Sequence, residues 1–164
     1  MGRETLIFRG KLYGEDGVSL IDKDKNNSIR HDEVVEYLKN MYSIMMYGNR
    51  EEYINLWDKD SRGAAVGEYY NQSPEAWKSF SRRAKGDEDH RLLSMVRYGD
   101  YVIALILVIQ TKDSIFAKAE GLLERNGKLW LTNNLEEDVV FDYFNQTRAL
   151  EYVEEFKKRR GLKR

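Results

Sequence analysis

Three tight turns cut the second half of this chain into four strand-length pieces, and no other feature narrows the fold as much. The turns are Gly99-Asp100, Lys112-Asp113 and Asn126-Gly127. Asn-Gly favours a type I′ hairpin, because both of its residues tolerate positive φ. Segments joined by two-residue turns are antiparallel neighbours. The expected strands are 90–98, 101–111, 114–125 and 128–135. The second holds the longest apolar run, Tyr101 to Ile109. That run is about half of the ~18 residues a membrane helix needs. It fits a strand buried on both faces. A long helix must cover one face of such a sheet.

The first half offers that helix. Residues 32–47 carry Val34, Val35, Leu38, Met41, Tyr42, Met45 and Met46, one continuous stripe at helical spacing. Gly48-Asn49 ends it. A short helix is expected over Arg50 to Trp57. Ser73-Pro74 reads as N-cap and first helical residue of another, with Trp77 and Phe80 on one face. Near the start, Leu6-Ile7-Phe8 and Val18-Ser19-Leu20-Ile21 flank a turn-rich link and suggest a small hairpin. The tail from Glu136 reads as helix and ends in Lys157-Lys158-Arg159-Arg160, whose plainest reading is unstructured, solvated charge. Helices followed by an antiparallel meander make an α+β chain. The expected division is an extension over 1–28, a main domain over 29–135 and a helical tail over 136–164.

Composition removes several classes of function. The 164 residues include no cysteine, which rules out disulfides, thiolate nucleophiles and cysteine metal sites. Two histidines, His31 and His90, are too few for a histidine-rich metal centre. Lys+Arg is 27 against Asp+Glu 28, so no global charge draws the chain to nucleic acid or an anionic membrane. The first residues form no basic-then-apolar leader, and a cytoplasmic location is the expectation, although a leader already removed would leave no trace.

The order of elements resembles the NTF2-like superfamily, also called SnoaL-like, a cystatin-like cone. The local match is Gly48-Asn49 followed by Leu56-Trp57-Asp58-Lys59-Asp60, with Gly127-Lys128-Leu129-Trp130-Leu131 as closing strand. It covers about residues 30–135. The resemblance implies a curved sheet on a long helix, a pocket between them, and homodimers formed through the outer face of the sheet. It does not imply one function, because this superfamily includes isomerases, dehydratases, transport adaptors and assembly domains. The isomerase-type members use a tyrosine on the first helix and an aspartate further on. Here those positions hold Met41 and Ala65, so both groups of that chemistry are missing; Tyr42 and Glu68 lie nearby.

Three functional readings follow. The first is a non-catalytic module that binds a small apolar ligand or a protein partner, with Tyr42, Met45, Trp57, Tyr98 and Asn133 as pocket candidates. The second is a lyase- or isomerase-type enzyme. Its candidates are His90, beside Asp87, Glu88 and Asp89, together with Asp58 and Tyr42. Their plainer roles are a surface histidine at a strand start, a helix cap and a core aromatic. The third is a calcium-stabilised interaction domain. Asp22, Asp24, Asn26, Ser28 and Glu33 fall at positions 1, 3, 5, 7 and 12 of an EF-hand-like loop. Asn27 replaces the usual turn glycine, and no helix is expected before the loop. The alternative is a polar loop that caps the helix, and no other cofactor is expected.

Overall fold

A computed structural model describes residues 5, 7–14, 16–21, 32–62, 73–87 and 89–162. The order is β1 (Arg9–Leu12), β2 (Val18–Ser19), α1 (Glu33–Tyr47), α2 (Arg50–Ile54), α3 (Pro74–Gly86), β3 (Asp89–Tyr98), β4 (Tyr101–Thr111), β5 (Ser114–Arg125), β6 (Lys128–Leu131), α4 (Val139–Asp142), a π-helical segment Tyr143–Arg148, and α5 (Ala149–Arg159). The chain is α+β with an antiparallel sheet ordered β1-β3-β4-β5-β6, and β2 also pairs with β3.

The expected meander is present. At the last hairpin Asn126 and Gly127 take φ of 53° and 70°, as a type I′ turn requires. The fourth strand stops at Leu131 rather than 135. The expected N-terminal hairpin is corrected: β1 and β2 do not pair with each other. Both lie antiparallel to β3, β1 against residues 94–97 and β2 against residues 91–92. Gly17 makes the junction possible. Its φ is +66°, and a Cβ there would stand 2.9 Å from the Leu92 carbonyl oxygen.

Strand β4 is buried on both sides, and its alternation defines two cores. Val102, Ala104, Ile106 and Val108 meet Val34, Val35, Leu38, Met41 and Tyr42 of α1. Leu105 and Leu107 meet Ala149, Val153 and Phe156 of α5. Ile103 meets Val140 and Phe144. Each buried side chain of this size contributes roughly 1.5–3 kcal/mol. The tail is therefore a cover for the outer face, not an appendage. It occupies the face expected to pair with a second copy. The basic run is not unstructured either: Lys157 to Arg159 form the last turn of α5, where cations meet the negative end of the helix dipole.

Caps explain the helix limits. Asp32 accepts from the Val34 amide at the start of α1. Asn49 and Glu52 form a reciprocal capping box on α2. Ser73 caps α3 as expected, with Pro74 following. Helix α2 ends at Ile54, short of the expected Trp57. The chain there turns to run beside β6, where Trp57 bridges Leu131. Tyr37 fixes this join: its hydroxyl donates to the Leu56 carbonyl at 2.8 Å and accepts from the Leu131 amide at 2.9 Å.

Candidate functional site

Register places two polar regions at opposite ends of the α1 face. At the C-terminal end of α1, the first residues of β3 bring His90 under the helix. The Tyr42 ring lies 4.0 Å from the imidazole, centroid to centroid. His90 Nε2 contacts the Asp87 carboxylate at 3.1 Å. The Lys118 ammonium, from β5, stands 6.0 Å from the Tyr42 ring centroid and 3.7 Å from Glu120.

Burial disfavours a charged imidazole and Lys118 adds repulsion, while the charge of Asp89 works the other way. Burial wins, and the His90 pKa falls to about 4. The imidazole is thus neutral, with Nε2 beside the Asp87 carboxylate. Burial also raises the Asp87 carboxyl, against a hydrogen bond from Gln110 and the charge of Lys118. Burial pushes Tyr42 up to about 12, so it stays a phenol. Among the described residues His90 Nδ1 has no hydrogen-bond partner, the Tyr42 hydroxyl has the Lys118 ammonium beside it, and both atoms are closed to water. A buried polar atom left unpaired is costly, of order 1–3 kcal/mol.

At the N-terminal end of α1 the sheet opens instead. A cleft of about 620 Å³ lies between the start of α1 and strands β1, β3, β4, β5 and β6. Val34, Met95, Val102 and Leu129 give it an apolar floor. Charged side chains form the rim, and most of them pair. Lys11 holds Asp32 at 3.0 Å, and Arg97 holds Glu124 at 2.6 Å. Arg9 and Glu33 complete the rim. The volume lies in the range of small-ligand sites, which combine apolar walls with a few placed polar groups.

The sequence candidates divide between these places. Of the three catalytic candidates, His90 and Tyr42 come together. Asp58 does not join them. It is buried, and its Oδ1 accepts from the Asp60 and Ser61 amides at 2.9 and 3.2 Å, capping the helical turn at 59–62. Burial alone would raise its pKa, but bonds from the Ser61 and Thr132 hydroxyls and those two amides hold it below the usual carboxylate value. None of the five pocket candidates lines the cleft. Tyr42 is core, and Met45 and Trp57 are half-buried against the same core. Tyr98 lies on the opposite face of the sheet and donates to Asp138 at 2.9 Å. Asn133 follows β6, and its amide donates to Ser61 Oγ.

Asp22, Asp24, Asn26 and Ser28 of the calcium reading lie outside the described residues, as do Ala65 and Glu68. Glu33 is described, and it sits at the cleft rim. Among the described residues no group of three His, Asp or Glu side chains is placed to hold a metal, and no helix is long and apolar enough to cross a membrane. Sequence reading missed the cleft. Its one visible signal was charge on alternate residues of a strand, Arg9 with Lys11.

Compared with known family models, characterised proteins and solved structures, the chain matches none.

Proposed function

We propose that this chain is an NTF2-like binding module that takes a small ligand in the cleft at the N-terminal end of α1. The observation that carries the reading is the cleft itself: about 620 Å³, apolar at its floor and charged at its rim. Two of the rim pairs neutralise each other, which suits an uncharged or zwitterionic ligand with an apolar body. The closed state of His90 and Tyr42 supports binding rather than turnover, because a catalytic group must reach the atom it serves.

Fluorescence titration with N-phenyl-1-naphthylamine, an uncharged apolar probe, tests this. Saturable binding is expected, and Met95→Trp should remove it by filling the floor while leaving the melting temperature nearly unchanged. Binding that ignores Met95→Trp refutes the cleft as the site.

The meeting of His90, Asp87 and Tyr42 favours a second reading, a lyase- or isomerase-type acid–base site. A neutral imidazole next to a carboxylate and a phenol has the parts of a proton-transfer site. That reading requires α1 and β3 to part and admit a substrate. Rapid hydrogen exchange at the His90 and Leu92 amides would support it; protection equal to that of β4 would refute it.

A further inference from the structure

A second pocket, of about 400 Å³, lies on the other side of the sheet, where α5 ends against β3, β4 and β5. Ile109, Ile115, Phe156 and Leu162 line it with apolar surface, and Arg91, Lys112, Arg160 and Asp89 carry its charge. Two guanidinium groups at its mouth already hold a carboxylate. Arg160 Nη2 bonds Asp16 Oδ1 at 3.1 Å, and Arg91 Nη1 stands 3.8 Å from the same oxygen. Arg160 is also seated over the Phe156 ring, 4.9 Å from its centroid. Arg91 is steadied by Asp89 at 2.6 Å and by the Asp16 carbonyl at 2.8 Å. The cations are thus placed by other contacts, while the Asp16 side chain is 71% exposed. An ion pair this open to water contributes little, and its anion is exchangeable. When Asp16 turns away, three cations face one remaining carboxylate, Asp89, among the described residues that line the pocket.

We propose that this pocket binds an amphipathic carboxylate, whose acid group replaces that of Asp16 between Arg91 and Arg160 and whose apolar chain lies on Phe156, Ile115 and Ile109. Asp16 is then a built-in competitor that a ligand must displace. The charge balance selects against cations, and the apolar floor selects against a bare anion such as acetate.

Isothermal titration of the full chain with octanoate tests the site, with octanol, octylammonium and acetate as comparison ligands. Octanoate should bind saturably and at least ~10-fold tighter than any of the three. Arg160→Ala should weaken it by roughly tenfold. Asp16→Ala should tighten it several-fold, an effect that loss of structure could not produce. Met95→Trp, in the distant cleft, should leave octanoate binding unchanged, which separates this site from the proposed one. Octanol binding as well as octanoate, or Asp16→Ala failing to tighten binding, overturns the proposal.

Discussion

The two faces of the sheet are sealed by opposite ends of the chain, and they are sealed differently. The α1 face is covered by one regular helix whose stripe Val34, Val35, Leu38, Met41, Tyr42 and Met46 is buried throughout. The outer face is covered by α4, a π-helical segment and α5, which bury fewer side chains each. A regular helix with a 3.6-residue stripe matches a sheet face by itself. The tail needs a correction: the Ala149 amide bonds back to the Phe144 carbonyl, one residue wider than an α turn. That extra residue lets Phe144 and Ala149 both face the sheet. Cover made from regular spacing is robust, whereas cover made from a local irregularity depends on the contacts that hold it.

Removing the outer cover should have the largest effect. A chain ending at residue 135 bares Leu105, Leu107 and Ile115. At roughly 1.5–3 kcal/mol for each large apolar side chain, the loss approaches the ~5–15 kcal/mol that stabilises a whole domain. Light scattering and circular dichroism should show aggregation or unfolding. A folded monomer would break the comparison, and the tail would be dispensable. A well-behaved dimer would show that the bared face can pair with a second copy, as the family resemblance implies.

A single cut into the other face comes next. Leu38 is fully buried against β4, and Leu38→Ala should cost about 2–5 kcal/mol in urea unfolding. Val153→Ala, in the tail cover, should cost less, since fewer methyl groups leave and an edge site relaxes more easily. Equal costs would mean that the two covers are one cooperative unit.

Between pH 7 and 4.5 acid should act mainly on the α1 face. His90 has an ordinary value near 6.5 and is lowered to about 4 in the fold. The unfolded chain therefore takes up its proton first as pH falls. Stability from this group is complete above pH ~6.5 and is lost as pH drops to about 4, by up to ~3 kcal/mol. Asp87 and Asp89 beside it, Lys118 on β5 and Tyr42 on α1 are the ionisable groups around it. The raised Asp87 carboxyl offsets part of the loss at the acid end, because it favours protonation in the fold. Urea midpoints between pH 7 and 4.5 measure the effect, and His90→Gln should flatten it. A midpoint that does not move would place His90 in a wetter site than the structure shows.

What the sequence revealed follows the same division. The meander, the doubly buried β4 and α1 were legible because each is dictated by neighbouring residues: turn chemistry, an apolar run and a helical stripe. Strand β1 was not. Arg9-Gly10-Lys11-Leu12 is exposed along its length, so it carries no apolar pattern, and backbone bonds to a strand over 80 residues away hold it in place. The pairing of His90 with Asp87 was legible because they are three residues apart, and Tyr42 was named without its partner. The cleft was hidden because its lining comes from six elements that meet only through sheet register. The outer pocket was hidden for the same reason: Asp16 and Arg160 are 144 residues apart.

The smallest expected effect tests the irregular cover at a side-chain bond from the π-helical segment to the sheet. Asn145, inside the π-helical segment, accepts from the Ala119 amide at 2.9 Å. Strand β6 pairs only with residues 122–125 of β5, so it does not reach that amide, and Asn145 takes the place of a ladder partner. Asn145→Ala leaves the amide to water or unpaired and should cost about 0.5–1.5 kcal/mol. Hydrogen exchange should quicken at Ala119 while the amides of β4 stay protected. Faster exchange spreading through α5 would show that this bond governs the whole tail. No change at Ala119 would show instead that Phe144 and Ala149 alone hold the tail on the sheet.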